Sequence, residues 1–229
     1  MVNDRYLGDI YQNRFSGTDA LKKDLIWREL ARYLQRFVPV DAPVLDIACG
    51  QGEFIRNISA LEKWACDMTT SSRLSSDIRF IQANGLHLRD LLPSDYFGCV
   101  FLSNYLEHLA SSEAVIEQLK VAHSLLKPNG TLVVLQPNIR LVGQAYWDFI
   151  DHKTPLTEKS LEEAALLAGF ATEKMITRFI PYTTKSRTPQ RPSFVRLYLR
   201  IKPIWRFMGK QTLYIGRKSE RDIDYAALR

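Results

Sequence analysis

The sequence predicts an α/β fold: a doubly wound, mostly parallel sheet with helices on its faces. Three observations carry that expectation. Short apolar runs alternate with helical periodicity, a glycine-rich turn directly follows the first run, and no internal repeat or low-complexity tract breaks the pattern. The 229 residues suit one domain with an elaboration rather than two full domains. With 46% hydrophobic and 24% charged residues, the composition excludes collagen-like and wholly disordered chains.

From Thr18 to Phe37, the residues Leu21, Leu25, Ile26, Leu30, Leu34 and Phe37 recur at helical spacing, giving an amphipathic helix that ends before Pro39. Val44 to Ala48 reads as a buried strand and Glu53 to Leu61 as the helix after it. Trp64 to Met68, Ile78 to Gln82 and Phe97 to Leu102 read as three more strands. Ser111 or Ser112 caps a helix reaching Leu126, which the turn Lys127-Pro128-Asn129-Gly130 stops. Thr131 to Gln136 is a fifth strand with β-branched character. Thr157 caps another helix, with Leu161, Ala164, Ala165 and Leu167 on its apolar side and Gly169 at its stop. Phe170 to Ile180 and Gln211 to Lys218 complete the strands. The residues between those last two strands, 181–210, are far more than a hairpin needs and form a basic, aromatic insertion.

The charge is concentrated. Eleven of the 31 Lys and Arg residues lie between Arg178 and Ser219, where no Asp or Glu occurs, so the net +6 divides into +11 there and −5 elsewhere. Cys49, Cys66 and Cys99 are odd in number and lack metal-type spacing, which fits a reducing compartment. The start MVNDRYLGDIYQNRF has no apolar h-region, and no run of 18 apolar residues occurs. Neither secretion nor membrane spanning is expected, and a cytoplasmic location is.

The most informative stretch is VLDIACGQGEF, Val44 to Phe54. A strand running into Cys49-Gly50-Gln51-Gly52 and then into a helix gathers backbone N–H groups at the carboxyl end of the sheet, with no Cβ at either glycine to block a ligand. A tight turn without a ligand is the plain alternative, and the dinucleotide pattern G-x-G-x-x-G is absent. Fifteen residues after Gly52, Asp67 ends the second strand, where an acid can accept hydrogen bonds from both ribose hydroxyls. Loop and acid together point to a nucleoside ligand.

The string D-x-A-C-G-x-G-x-F, Asp67, the FLSNYLEHL stretch and LLKPNGTLVV, in this order and spacing, resemble class I S-adenosylmethionine-dependent methyltransferases over roughly residues 18 to 218. The resemblance implies a Rossmann-like sheet of seven strands with the last antiparallel, an N-terminal helical lid at 1–39, a cofactor-binding domain at 40–219 and a tail at 220–229. It implies S-adenosylmethionine as cofactor, held by Asp46, Ala48, Cys49, Gly50, Gly52, Asp67 and Met68, and further along by Asn84, Gly85, Ser103 and Asn104. Ala48 replaces a usual glycine, an added methyl that fits if φ there is negative. Asn84 replaces a usual aspartate and keeps a carbonyl acceptor for the adenine amino group.

Transfer to a hydroxyl benefits from a base. Of the four histidines, His87 and His123 read as structural or solvated. His108 follows the fourth strand, and the stretch around it is similar to ubiquinone-pathway O-methyltransferases, some of which bind a divalent metal there through acids and a histidine. Asn104 stands where an acid is wanted, so no metal is expected. His152 or His108 is the expected catalytic base, and His152, in Tyr146-Trp147-Asp148-Phe149-Ile150-Asp151-His152, is the favoured acceptor-site residue, with Asp148 or Asp151 to orient it or join it around a metal. Arg14 can pair with the cofactor carboxylate.

In the insertion, Val195 to Ile201 reads as two helical turns broken at Pro203, followed by a turn with Trp205 and Phe207. A structural subdomain and a basic surface for anionic lipid or an anionic acceptor compete, while nucleic-acid binding is disfavoured because no recognition module is present. The tail resembles bacterial methyltransferases of surface-glycan or lipid-linked sugar pathways. Together these readings give a methyltransferase acting on a hydroxyl of a sugar, lipid-linked glycan or small molecule. Peripheral membrane contact through 182–210 and a monomer or homodimer are expected. A cofactor-binding or regulatory protein without catalysis, and a methyltransferase of nucleic acid or protein, remain the alternatives.

Overall fold

Alternating side chains on the central strands create two cores, one on each face of a single sheet. The computed structural model describes residues 18–69, 73–182 and 192–219. The N-terminal Arg14, most of the 182–191 loop and the 220–229 tail lie outside these residues. Helix α1 (Thr18–Leu34) leads through a short 3-10 turn to β1 (Pro43–Ile47), followed by β2 (Glu62–Asp67), β3 (Ile78–Gln82) and β4 (Phe97–Ser103). Then come α2 (Ser112–Leu125), β5 (Leu126–Pro137), the single turn α3 (Ile139–Val142), α4 (Glu158–Leu167) and β6 (Phe170–Ile180). Helices α5 (Pro192–Arg200) and α6 (Lys202–Met208) precede β7 (Gln211–Lys218).

The strand order is β3-β2-β1-β4-β5-β7-β6. β1 to β5 pair in parallel, and β7 runs antiparallel to both β5 and β6, as expected. The order reverses between β1 and β4, which opens a crevice at their carboxyl ends. Leu45, Ile47, Val100, Leu102, Leu132 and Val134 point to the face covered by α2 and α4. Val44, Cys99, Phe101, Val133 and Leu135 point to the face covered by α1, α5 and α6.

The capping signals read from the sequence are present. The Ser111 side chain accepts from the Ala114 N–H, and Thr157 with Ser160 forms a capping box. Gly169 ends α4 at φ +97°. The turn Lys127-Pro128-Asn129-Gly130 is taken up into β5 as a bulge. Leu126 pairs with Phe97 and Thr131 with Cys99, so four residues loop out, with Asn129 at φ +60°.

The helix expected at Glu53 to Leu61 is absent. The chain makes only a 3-10 turn at Ile55–Asn57 before becoming extended at Ile58. Fourteen residues, 48–61, separate β1 from β2; the glycine turn takes the first five, and the nine that follow make one 3-10 turn and an extended return to β2. The layer that this helix would fill is supplied by α1. Its Leu30, Ala31 and Leu34 pack in one core with Phe54 and Ile55, while Phe54 stacks on Phe101 with ring centroids 3.7 Å apart.

The described part of the insertion completes that layer. Leu199 and Trp205 are buried, Tyr198 Oη donates to the Phe179 carbonyl (2.8 Å), and Trp205 Nε1 donates to the Tyr198 carbonyl (2.8 Å). Arg196 makes two hydrogen bonds to the buried Glu29 of α1 (3.0 and 2.8 Å), and Arg32 adds two more. The segment 192–208 therefore packs beside α1. Its apolar inner stripe determines that placement.

The Arg196 hydrogen bonds, working against burial and aided by Arg32, hold the Glu29 carboxyl below the usual glutamate range. A lowered carboxylate pKa stabilises the fold above the unfolded value and loses that effect as pH falls through the folded one. Glu29→Gln should therefore lower the thermal midpoint by a few degrees at neutral pH. The gap to wild type should close in acid, as pH falls below the usual glutamate range, in melts followed by circular dichroism.

Candidate active site

The turn after β1 is built from left-handed backbone. Ala48, Gly50 and Gly52 have φ of +56°, +55° and +73°. Ala48 is thus not at the negative φ expected for it, and an L-residue there carries a strain of roughly 1–2 kcal/mol. A Cβ built at Gly50 would meet nothing among the described residues within 4 Å, so that side of the loop is open among them. At Gly52 it would strike Leu74 Cδ2 at 2.3 Å, so there the glycine admits a packed side chain.

The sequence reading assigned the loop's N–H groups to a ligand, and the structure commits most of them internally. The Cys49 N–H donates to the Cys66 carbonyl (3.0 Å), and the Gly52 N–H to the Cys49 carbonyl (2.9 Å). The Gly50 N–H donates to Asp67 Oδ2 (2.9 Å). Asp67 Oδ1 in turn accepts from the Thr69 N–H and Oγ (3.0 and 2.9 Å). Asp67 lies at the end of β2, half-buried, with Met68 exposed beside it. A carboxylate oxygen has more than one acceptor site, so Oδ2 retains capacity for a hydroxyl donor.

What gathers at this loop is negative charge. Asp46 and Glu53 are buried, and Lys23 pairs with Glu53 at 2.9 Å. Burial, reinforced by Glu53 and Asp67, pushes the Asp46 carboxyl well above the usual range. A cationic ligand at the loop would relieve that repulsion. Burial also drives the Cys49 thiol upward and pushes Cys66 up to about 12, which makes both packing groups rather than nucleophiles.

The remaining residues of the expected cofactor set have specific local duties. Asn84 Oδ1 accepts from the Leu86 N–H (3.0 Å), capping a 3-10 turn. Gly85 is buried, and a Cβ there would meet Gln118 Oε1, Tyr105 Oη and Ile47 Cγ2 at 2.7–2.9 Å. Asn104 has φ +48°, donates its N–H to the Leu135 carbonyl (2.9 Å) and its Nδ2 to Ser103 Oγ (2.9 Å). Ser103 and Asn104 end β4, on the other side of the crevice from Gly50.

Beyond Asn104 the chain makes a 3-10 turn, Leu106–His108. The loop after β5 is clamped onto this turn, because the Glu107 carbonyl accepts both the Lys153 and Thr154 N–H groups (2.8 and 3.0 Å). Thr154 Oγ1 donates to the Leu109 carbonyl (2.7 Å), and Tyr146 Oη donates to the Thr154 carbonyl (2.9 Å). The clamp brings His108 Nδ1 to 3.1 Å from the Asp151 carbonyl oxygen and 3.4 Å from its Oδ2. Asp151 thus faces His108, a contact the sequence reading did not name. His152 lies 5.0 Å from the His108 ring, against Phe149 (5.1 Å) and Tyr146 (4.5 Å).

Glu107 completes the cluster, and the sequence reading did not single it out. It is 2% exposed, and burial raises its carboxyl above the usual range despite the opposing influence of His108. Its Oε2 has no hydrogen-bond partner among the described residues. One potential ligand atom each from Glu107, His108 and His152 lies within 4.8 Å of the others, a donor set chemically suited to a divalent cation. Trp147 and Ile150, on the same loop as His152, are 57% and 81% exposed. His123, by contrast, packs on Phe170 and the face of Gly169, as a structural residue.

An open α/β sheet with a glycine turn, an acid after the second strand and polar side chains across the switch point defines a nucleoside-using enzyme fold. The chain belongs to the methyltransferase domain family, whose model matches residues 21–174. A SAM-dependent methyltransferase from Archaeoglobus fulgidus superposes with a TM-score of 0.65 at 21% identity, covering 94% of this chain and 100% of that one. One from Thermotoga maritima gives 0.63 at 15% identity over 94% and 97%. One from Mesorhizobium loti gives 0.59 at 17% over 81% and 96%. No curated protein sequence matches the chain.

Relief of the left-handed strain makes one substitution stabilising. Ala48→Gly should raise stability by about 1 kcal/mol, or roughly 2–4 °C in the thermal midpoint. An unchanged or lower midpoint would show that the methyl group has compensating contacts.

Proposed function

We propose that this methyltransferase takes its methyl group from S-adenosylmethionine and transfers it to a hydroxyl of a sugar, lipid-linked glycan or other small molecule, with His108 as the base. When bound, the cofactor supplies an electrophilic methyl on a sulfonium. The loop fits such a group: the side of Gly50 that a Cβ would fill is open, and the acids around it suit the positive charge of a sulfonium and an ammonium. Asp67 would hold the ribose, with Asp46, Ala48, Cys49, Gly52 and Met68 around the amino-acid part. Asn84, Gly85, Ser103 and Asn104 would line the remainder.

The contact between His108 and Asp151 is the observation that carries the base assignment. With its Nδ1 proton directed at Asp151, the imidazole presents Nε2 as the acceptor for a hydroxyl proton. His152, held by Tyr146 and Phe149, positions the acceptor rather than taking its proton. The exposed Trp147 and Ile150 offer the flat apolar surface against which a sugar ring or an apolar small molecule rests. A second reading rests on Glu107 Oε2: a divalent cation bound by Glu107, His108 and His152 would lower the pKa of the hydroxyl directly.

A methyl-transfer screen over sugars, lipid-linked sugars, small hydroxyl compounds, nucleic acids and proteins identifies the acceptor. With it in hand, His108→Ala should lower kcat by about 10²- to 10⁴-fold while leaving cofactor affinity intact. Asp151→Asn should lower kcat less and shift its pH profile. Loss of activity in chelator, with a cation-induced rise in thermal midpoint that Glu107→Gln abolishes, would select the cation reading. Full activity in His108→Ala and His152→Ala, with no chelator effect, overturns both. Cofactor binding without turnover on any acceptor would favour a regulatory protein.

A further inference from the structure

We propose that the outer face of α5 and α6 docks the protein on an anionic lipid surface. The inference concerns a different part of the molecule from the active site and does not depend on the reaction. α5 is apolar on two sides. One stripe, Val195, Tyr198 and Leu199, packs into the core beside α1. The other, Phe194, Leu197 and Ile201, recurs at three and four residues and is 49%, 51% and 37% exposed. On α6, Phe207 is 81% exposed although Trp205, two residues away, is buried. An ordinary solvated helix carries polar side chains at such positions.

The exposed cations indicate what meets this face. Arg200, Lys202, Arg206 and Lys210 are all exposed among these apolar side chains, and no acid occurs from Arg178 to Ser219. On these two helices Arg196 is spent internally, on Glu29. A symmetric dimer through this patch would set a surface bearing Arg200, Lys202, Arg206 and Lys210, with no acid among them, against its own copy, a like-charge contact that opposes self-association. Nucleic acid would use the cations but leave Leu197 and Ile201 without a role. A layer of anionic headgroups over hydrocarbon satisfies both classes at once, with Phe and Leu at the acyl boundary and Arg and Lys at the phosphates. Among the described residues no helix is long and apolar enough to cross a membrane. The contact is therefore peripheral, and it is anchored to the body of the protein by Tyr198 and Trp205.

Co-sedimentation of the full chain with vesicles tests this. Binding is expected to vesicles of equal parts phosphatidylglycerol and phosphatidylcholine but not to phosphatidylcholine alone, with release in high salt. Arg200→Ser with Arg206→Ser should weaken binding roughly thirtyfold. Leu197→Ser with Phe207→Ser should weaken it at least as much. All four positions are exposed, so thermal midpoints should stay near wild type. The proposal is overturned if the anionic vesicles do not bind, or if neither pair of substitutions reduces binding. It is equally overturned if the chain is a stable dimer in sedimentation that Leu197→Ser dissociates, since a second copy would then cover the face.

Discussion

The hydrogen bond from the Gly50 N–H to Asp67 ties the ends of β1 and β2 together, and much of the site depends on it. It closes a turn in which left-handed residues alternate with right-handed or extended ones. That turn takes the first five residues of the β1 to β2 crossover, and the chain after it makes a 3-10 turn in place of a helix. With the helix missing, Phe54 and Ile55 fall directly onto the sheet, and α1 has to supply the covering layer. Glu29 of α1 then becomes the anchor for Arg196, which fixes α5. A local backbone constraint at the crevice thus leads to the position of the basic insertion on the flank of the molecule.

The same turn gives the site its electrostatic character. Its N–H groups are largely consumed by Cys66, Cys49 and Asp67, so the loop offers carbonyl oxygens and carboxylates to a ligand. This differs from the phosphate-binding glycine loops of other doubly wound folds, where free N–H groups meet an anion. It matches a cofactor whose reactive end is positively charged. Across the crevice, the clamp of the β5 loop onto Glu107 fixes His108, Asp151 and His152 in one cluster, which is where an acceptor would be handled.

Strand positions and helix caps were legible in the sequence because they are set by local patterns: alternation of period two for the strands, and Ser111, Thr157 and Gly169 for the helix ends. The missing helix at Glu53 to Leu61 was not, because Phe54 and Ile58 suit a helix locally and no local signal marks the 3-10 turn that replaces it. The φ of Ala48 was hidden for the same kind of reason, since alanine carries no signal of left-handed backbone. The partner of His108 lies 43 residues away in a loop without periodic pattern, so the pairing of Asp151 with His108 required the fold. Glu107 carried no signal of its own in the sequence, and its burial and an Oε2 without a partner among the described residues bring it into the site. The segregation of charge was visible as a count, but which cations are spent and which are free was not.

Calorimetric titration with S-adenosylmethionine and S-adenosylhomocysteine tests the central claim most directly. Both should bind with one site per chain, and Asp67→Ala should weaken both by about tenfold or more, since a hydrogen bond to a charged group is lost along with the clamp on Gly50. Failure of either ligand to bind, or an Asp67→Ala variant that binds as well as wild type, would contradict the account.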